Sequence, residues 1–144
     1  MQVLRDFFLI IGRIGIGVIL IAHGWQKLVT NGVPATARGF RGMGVPAPEV
    51  AAWYATVVEL AGGVLLILGL LMPLVGIAVA VDMAGAIVFV HLEHGLFSPM
   101  GFELPLAIGV ATLALGFSSG RAAVDHALFS RLGRRKHAET ETNV

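Results

Sequence analysis

Five ionisable side chains lie within or at the edges of long apolar stretches: His23, Lys27, Glu59, His91 and Glu103. A charge held inside a bilayer costs roughly 2.5–3.5 kcal/mol on insertion scales, so each such residue needs a partner or a function. Imidazole exchanges protons near neutral pH, and a carboxyl group does so where burial raises its pKa, so both are common general acids and bases. We therefore predict catalytic roles for Glu59 and His23, and ligand-binding roles for Lys27, His91 and Glu103.

The composition indicates the surroundings in which these side chains are held. Of 144 residues, 56% are hydrophobic and 13% are charged, and the mean hydropathy is +0.85. Because this leaves too little polar surface to cover a soluble globule, we predict an integral membrane protein in contact with the lipid bilayer. The net charge of +1 favours no nucleic-acid partner, and the lack of cysteine excludes disulfides and cysteine-ligated metal centres.

Four apolar segments are candidate membrane spans: residues 7–28, 51–71, 74–91 and 103–117. A helix needs about 20 residues to cross ~30 Å of hydrocarbon, and backbone groups that face lipid must be paired within the helix. We predict an all-α fold, a four-helix transmembrane bundle (residues 1–119) that runs up-down-up-down with both termini on one side. A signal peptide is the alternative for the first segment, but its apolar run is too long for a typical one.

The connections and the flanking charges predict how these spans are arranged. The connection Leu71-Met72-Pro73-Leu74 is so short that the second and third spans must be antiparallel neighbours. The long first connection is rich in glycine and proline and could hold a short interfacial helix. Arginine and lysine are more frequent on the side of the termini, which predicts cytoplasmic termini. Residues 120–144 are predicted to be a basic cytoplasmic tail with a short interfacial helix and a disordered end.

The predicted spans bring the five ionisable side chains to one end of the bundle. His23 and Lys27 lie one helical turn apart near the outer end of the first span, and Glu59 lies about 12 Å from the outer end of the second. His91 ends the third span, and Glu103 begins the fourth. The sequence therefore predicts a shared cluster in the outer half of the bundle.

Some of these residues also have a purely structural interpretation. Lys27 could extend to the lipid headgroups. By depth along its helix, no basic residue lies close to Glu59. Glu103 could be a favourable charge at a helix N-terminus. At another depth, Arg13 and Asp82 are close enough to form an ion pair if their helices touch, and we predict a structural role for that pair.

Known catalytic and metal-binding motifs are absent from the sequence. There is no nucleophile elbow, no P-loop and no dinucleotide fingerprint between a strand and a helix. His91, His94 and Glu103 offer nitrogen and oxygen ligands, but the spacing His-Leu-Glu-His is not that of a zinc metalloprotease. We therefore expect neither a metal site nor a covalently bound cofactor.

Short elements along the chain resemble those of the DoxX family of small membrane proteins. In chain order they are Gly24-x-x-Lys27-Leu28, Glu59-x-x-Gly62-Gly63, Val90-His91, Glu103, and Gly120-Arg121 with Asp125. The resemblance runs from Ile11 to Asp125. Ala123 stands where the family usually has serine, and Met72-Pro73 stands where Thr-Arg is commoner.

The resemblance implies a four-helix protein of the prokaryotic plasma membrane. The family includes a small subunit of thiosulfate:quinone oxidoreductase and membrane partners of oxidative-stress and sulfur-metabolism proteins, which implies protein partners in a redox complex. Our leading hypothesis is that the cluster binds a quinone headgroup or similar ligand between the helices. Glu59 would relay a proton, and His23 or His91 would hydrogen-bond a ligand carbonyl. A partner would supply the electrons, because the chain has no flavin or metal motif.

A non-catalytic membrane scaffold for soluble redox or stress proteins is the alternative. Val124, Leu128 and Leu132 form an apolar stripe followed by arginines, a pattern typical of a helix lying on anionic lipid. A transporter is disfavoured because four short spans show no inverted repeat, unless the chain forms a homo-oligomer.

Overall fold

All regular structure is helical in the part of the chain that the computed structural model describes, residues 1–97 and 99–118. The α-helices are α1 (Gln2–Trp25), α2 (Val33–Gly42), α3 (Pro48–Leu68), α4 (Met72–Ala86) and α5 (Glu103–Phe117). A π-helical turn, Gln26–Thr30, extends α1, and α4 continues through a second one, Ile87–His91, into a 3-10 turn, Leu92–His94. The all-α class is confirmed, and the predicted tail lies outside the described residues.

Within residues 1–97 and 99–118, three helical stretches are long and apolar enough to cross a membrane. They are Gln2–Thr30, Pro48–Leu68 and Met72–His94, with 29, 21 and 23 residues. α5 is apolar as well but shorter, at 15 residues. Large apolar side chains such as Phe8, Val57 and Leu74 are more than half exposed on the outside of these helices. A surface of this kind requires lipid around it, so the chain is a membrane protein.

The turn between α3 and α4 is as tight as the sequence predicts. α3 ends at Gly69, which has a left-handed backbone (φ 69°), and the Leu70 N–H donates to the Leu65 carbonyl over 2.9 Å. Pro73 lies in the first turn of α4, where a helix needs no backbone N–H donor. The two helices therefore pack against each other directly after the turn.

Glycines allow the main helix pairs to approach closely. α1 packs on α3 where Gly17 faces Gly63: a Cβ atom on Gly63 would lie 2.7 Å from the Gly17 carbonyl oxygen. α4 packs on α5 in the same way, because a Cβ atom on Gly116 would lie 2.8 Å from the Met72 carbonyl oxygen. Small residues at such crossings are typical of helices that associate within a membrane.

α2 fills the long first connection, which the sequence indicated could hold a short helix. Val33 and Ala37 of α2 are buried against Ala52 of α3. The side chains of Arg41 and Glu49 form an ion pair between the end of α2 and the start of α3. α2 therefore covers the bundle at the end where α3 begins, which we call the α2 end.

We predict that Gly63→Ala destabilises the protein by about 1–3 kcal/mol, because the added methyl group overpacks the contact with Gly17. Thermal unfolding in detergent micelles, followed by far-UV circular dichroism, measures the effect. Gly15→Ala is the matched control on α1, since no heavy atom lies within 4 Å of its added Cβ atom. Equal melting temperatures for the two variants would contradict this account of the α1–α3 crossing.

Candidate functional site

An ion pair between α1 and α3 lies at the centre of the candidate site. The Lys27 Nζ donates hydrogen bonds to both carboxylate oxygens of Glu59, over 2.7 and 2.9 Å. Glu59 is only 4% exposed, and the Lys27 side chain is 20% exposed. Each charge is therefore compensated by the other in surroundings where an isolated charge would be strongly unfavourable.

Gly24 allows this ion pair to form, because it brings the backbones of α1 and α3 together one turn before Lys27. A Cβ atom on Gly24 would lie 2.7 Å from Leu60 Cγ and 3.1 Å from Glu59 Cβ. The Gly-x-x-Lys element of the first helix thus lies directly against the glutamate of the Glu-x-x-Gly-Gly element.

The two π-helical turns both carry residues of the site. Lys27 belongs to the turn at the end of α1, and His91 belongs to the turn at the end of α4. A π-helical turn contains more residues than an α-helical turn and is frequent at functional sites. No pattern in the sequence indicates these turns.

The five side chains singled out from the sequence line one cavity of about 380 Å³. His23 and Lys27 reach it from α1 and its π turn, Glu59 from α3, His91 from the end of α4, and Glu103 from the start of α5. We call this space the α5 cavity. The roles assigned to these residues stay predictions, but the structure does bring them together.

The two histidines each hold one ring nitrogen against a backbone carbonyl. His23 Nδ1 donates to the Ile19 carbonyl over 2.9 Å, and His91 Nδ1 donates to the Met100 carbonyl over 2.8 Å. Because a carbonyl oxygen only accepts, each Nδ1 carries the hydrogen, and Nε2 of a neutral ring is an acceptor. Donation from Nε2 to a ligand carbonyl therefore requires a second proton on the ring.

A second cavity, also of about 380 Å³, lies on the other side of the ion pair. We call it the α2 cavity because Phe40 of α2 lines it. The residues that it shares with the α5 cavity are Lys27, Glu59, Met83, Ala86 and His91. Asp82 of α4 faces this second space. Among the described residues, the Asp82 Oδ2 atom is buried and has no hydrogen-bond partner.

Two interpretations of the ionisable residues are wrong. Lys27 does not extend to the headgroups as a lone charge, since its long side chain reaches Glu59. The predicted Arg13–Asp82 pair is not among the ion pairs that form within residues 1–97 and 99–118. The physical reason is the packing order: α1 packs on α3 and α5, and α4 packs on the same two helices, so α1 and α4 have little contact.

The described residues offer no set of ligands for a metal ion. No three histidine, aspartate or glutamate side chains come close enough together to hold a metal ion within the described ranges. His94 is exposed on the 3-10 turn and does not line either cavity.

Comparison with known proteins places the chain in a family. The sequence model of the DoxX family matches residues 8–92, more than half of the chain. The chain belongs to the DoxX family. The match includes the contact between Gly24 and Glu59 and the Lys27–Glu59 ion pair.

Two bacterial proteins are similar to this DoxX protein over most of their length. One is a protein of Haemophilus influenzae named "Uncharacterized protein", 33% identical over 132 residues, which cover 88% of this chain and 95% of that one. The other is a Bacillus subtilis protein named "Putative oxidoreductase CatD", 32% identical over 103 residues, 72% of this chain and 74% of that one. No solved structure matches significantly.

We predict that Lys27→Met destabilises this DoxX protein by about 3 kcal/mol, because it leaves the buried Glu59 carboxylate without its partner. The double variant Lys27→Met with Glu59→Gln removes both charges and should regain most of the lost stability. The melting temperature in detergent micelles measures both effects.

Arg41→Met is the control for this prediction, since the Arg41–Glu49 ion pair is exposed on both sides. Loss of an exposed pair should change the free energy of unfolding by about 0.5 kcal/mol or less. A double variant as unstable as Lys27→Met alone would show that the pairing of charges is not what stabilises this contact.

Proposed function

We propose that this DoxX protein is the membrane component of a redox assembly and binds a quinone headgroup, or a similar small ligand, in the α5 cavity. One observation carries the proposal: five ionisable side chains from separate helical segments line a single space between apolar helices. The volume of about 380 Å³ lies in the range of small-molecule sites, which usually combine apolar walls with a few convergent polar groups. The name of the Bacillus subtilis relative supports redox chemistry.

Glu59 is the proposed proton carrier. Reduction of a quinone to a quinol adds two electrons and two protons. A partner protein with a flavin or metal centre supplies the electrons, because this chain has no motif for either group. Glu59 takes up a proton, as hydronium, from the aqueous solvent and passes it to a ligand oxygen, and the carboxylate then pairs with Lys27 again.

In this proposal the histidines bind the ligand carbonyl and supply the second proton. Each Nδ1 hydrogen is already donated to a backbone carbonyl, so Nε2 is the nitrogen that a ligand can reach. A doubly protonated ring donates from Nε2 to a ligand carbonyl, and it gives up this proton as the second one that the reduction consumes. The neutral ring that remains accepts a hydrogen bond from the new hydroxyl group.

We also propose that α5 is a fourth span and that both termini lie in the cytoplasm of a prokaryotic cell, with the bundle in the plasma membrane. Arg5 and the cationic cluster Arg131, Arg134, Arg135 and Lys136 support this orientation, since positive charge is commoner on the cytoplasmic side. Arg38 and Arg41 are the opposing charges at the α2 end, where Lys27 is occupied by Glu59. The bacterial origin of both relatives supports the assigned membrane.

Glu59→Gln tests the proposed reaction, because the amide keeps the shape of the side chain but cannot relay a proton. We expect quinone reduction to fall by about 100-fold, the lower part of the usual contribution of a general acid or base. The assay follows the reduction of decyl-benzoquinone by membranes that contain the full chain. The soluble fraction of the same cells supplies the electrons.

Glu49→Gln is the matched control on the same helix, since Glu49 is exposed and lines neither cavity. It should leave the rate unchanged. A rate for Glu59→Gln within twofold of the wild-type rate, at equal protein content in the membrane, would rule out the proton relay.

A further inference from the structure

The α2 cavity has mostly apolar walls and few polar groups. Its walls include Phe40, Val45, Val81, Met83 and Phe89, which come from α2 with its following loop and from the α4 helix with its π turn. With Tyr54, three aromatic rings and several aliphatic side chains line the cavity, and such walls are suited to an apolar ring compound. The cavity is therefore built like a ligand site in its own right, which shares part of its wall with the α5 cavity.

Most polar groups of the α2 cavity already have partners within the protein. Lys27 and Glu59 bind each other, and the Tyr54 hydroxyl donates to the Ala78 carbonyl over 2.9 Å. Asp82 is different, because its Oδ2 atom is buried and lacks a hydrogen-bond partner among the described residues. A buried carboxyl oxygen without a partner is unfavourable, so a ligand that hydrogen-bonds Asp82 would gain affinity.

The chemistry of the cavity restricts what that ligand can be. An ammonium group could pair with Asp82, but its remaining N–H donors would face mostly apolar walls, since Lys27 and Glu59 already bind each other. A quinone carbonyl can only accept a hydrogen bond, so it suits a protonated carboxyl alone. A hydroxyl group both donates and accepts, and it therefore suits Asp82 in either protonation state.

We propose that the α2 cavity binds the hydroxyl-bearing, reduced form of an apolar ring compound, with Asp82 as the hydrogen-bond partner of the hydroxyl group. This inference rests on the proposed function in one respect: the compound is the quinol of the quinone assigned to the α5 cavity. The two forms then have separate sites on opposite sides of the Lys27–Glu59 pair. Selection of the reduced form is a property of Asp82 and not of Glu59.

Site-resolved photolabelling tests the inference. The probe is a decyl-benzoquinol that carries a diazirine, applied without oxygen to the full chain in lipid nanodiscs, and labelled peptides are identified by mass spectrometry. Peptides from residues 40–55 report the α2 cavity, whereas residues 99–108 contribute to the α5 cavity and not to the α2 cavity. Labelling within residues 81–90 is assigned to single residues, because Met83 and Ala86 line both cavities. Unlabelled decyl-benzoquinol, decyl-benzoquinone and 1-dodecanol serve as competitors, and the concentration that halves the labelling is measured for each.

We expect the quinol to protect the α2-cavity peptides at an about tenfold lower concentration than the quinone, the ratio that corresponds to one hydrogen bond. Asp82→Asn should bring this ratio below about threefold, because its amide group can donate to the quinone carbonyl. Asp82→Leu should weaken protection by the quinol, because it removes the hydrogen bond altogether. The alcohol should protect poorly, since it has no ring to pack against Phe40 and Phe89.

Asp6→Asn is the matched carboxyl-to-amide control, because Asp6 lies near the start of α1 and lines neither cavity. It should leave the wild-type ratio intact. Equal protection by quinol and quinone in the wild type, an unchanged ratio in Asp82→Asn, or protection by dodecanol equal to that by the quinol would each overturn the inference.

The result is separable from that of the turnover assay, because labelling needs no electron donor. An Asp82-dependent preference for the quinol, found together with normal turnover in Glu59→Gln, would remove only the proton relay. Loss of turnover in Glu59→Gln without any effect of Asp82 on labelling would remove only the second site.

Discussion

The Lys27–Glu59 ion pair is the contact on which the arrangement of the α2 end depends. Two opposite charges inside an apolar bundle are tolerated only in direct contact, so α1 and α3 must lie close together at this level. Gly24 meets that requirement because it has no side chain between the two backbones. The same ion pair then forms part of the wall of both cavities, so ligand chemistry and helix packing involve the same atoms.

The cavities exist because different parts of the bundle pack in different ways. Glycine contacts join α1 to α3 and α4 to α5 with almost no space between their backbones. At the α2 end, α2 and its following loop line one cavity, and residues 99–101 line the other. The cavities therefore lie where these connecting segments meet the long helices, next to the charged side chains.

Much of this architecture could be predicted from the sequence. The apolar segments predicted the long helices, and the short connection at Met72-Pro73 predicted the α3–α4 turn. The ionisable residues predicted the polar lining of the α5 cavity. The pairing of Lys27 with Glu59 could not be predicted by counting depth along straight helices, because a lysine side chain reaches several residues beyond its own position. The prediction of an Arg13–Asp82 ion pair was wrong for a related reason: similar depth in the membrane does not show which helices are neighbours.

The π turn at Gln26–Thr30 changes the direction in which the side chains that follow it point. Successive residues of an α-helix are rotated by about 100°, so one additional residue in a turn redirects every position that follows it. A shorter or longer relative of this chain could keep both charged residues and still direct the lysine toward lipid. Alignments of the family should therefore preserve the spacing within this turn. Identical charged residues alone do not guarantee that the lysine and the glutamate form an ion pair.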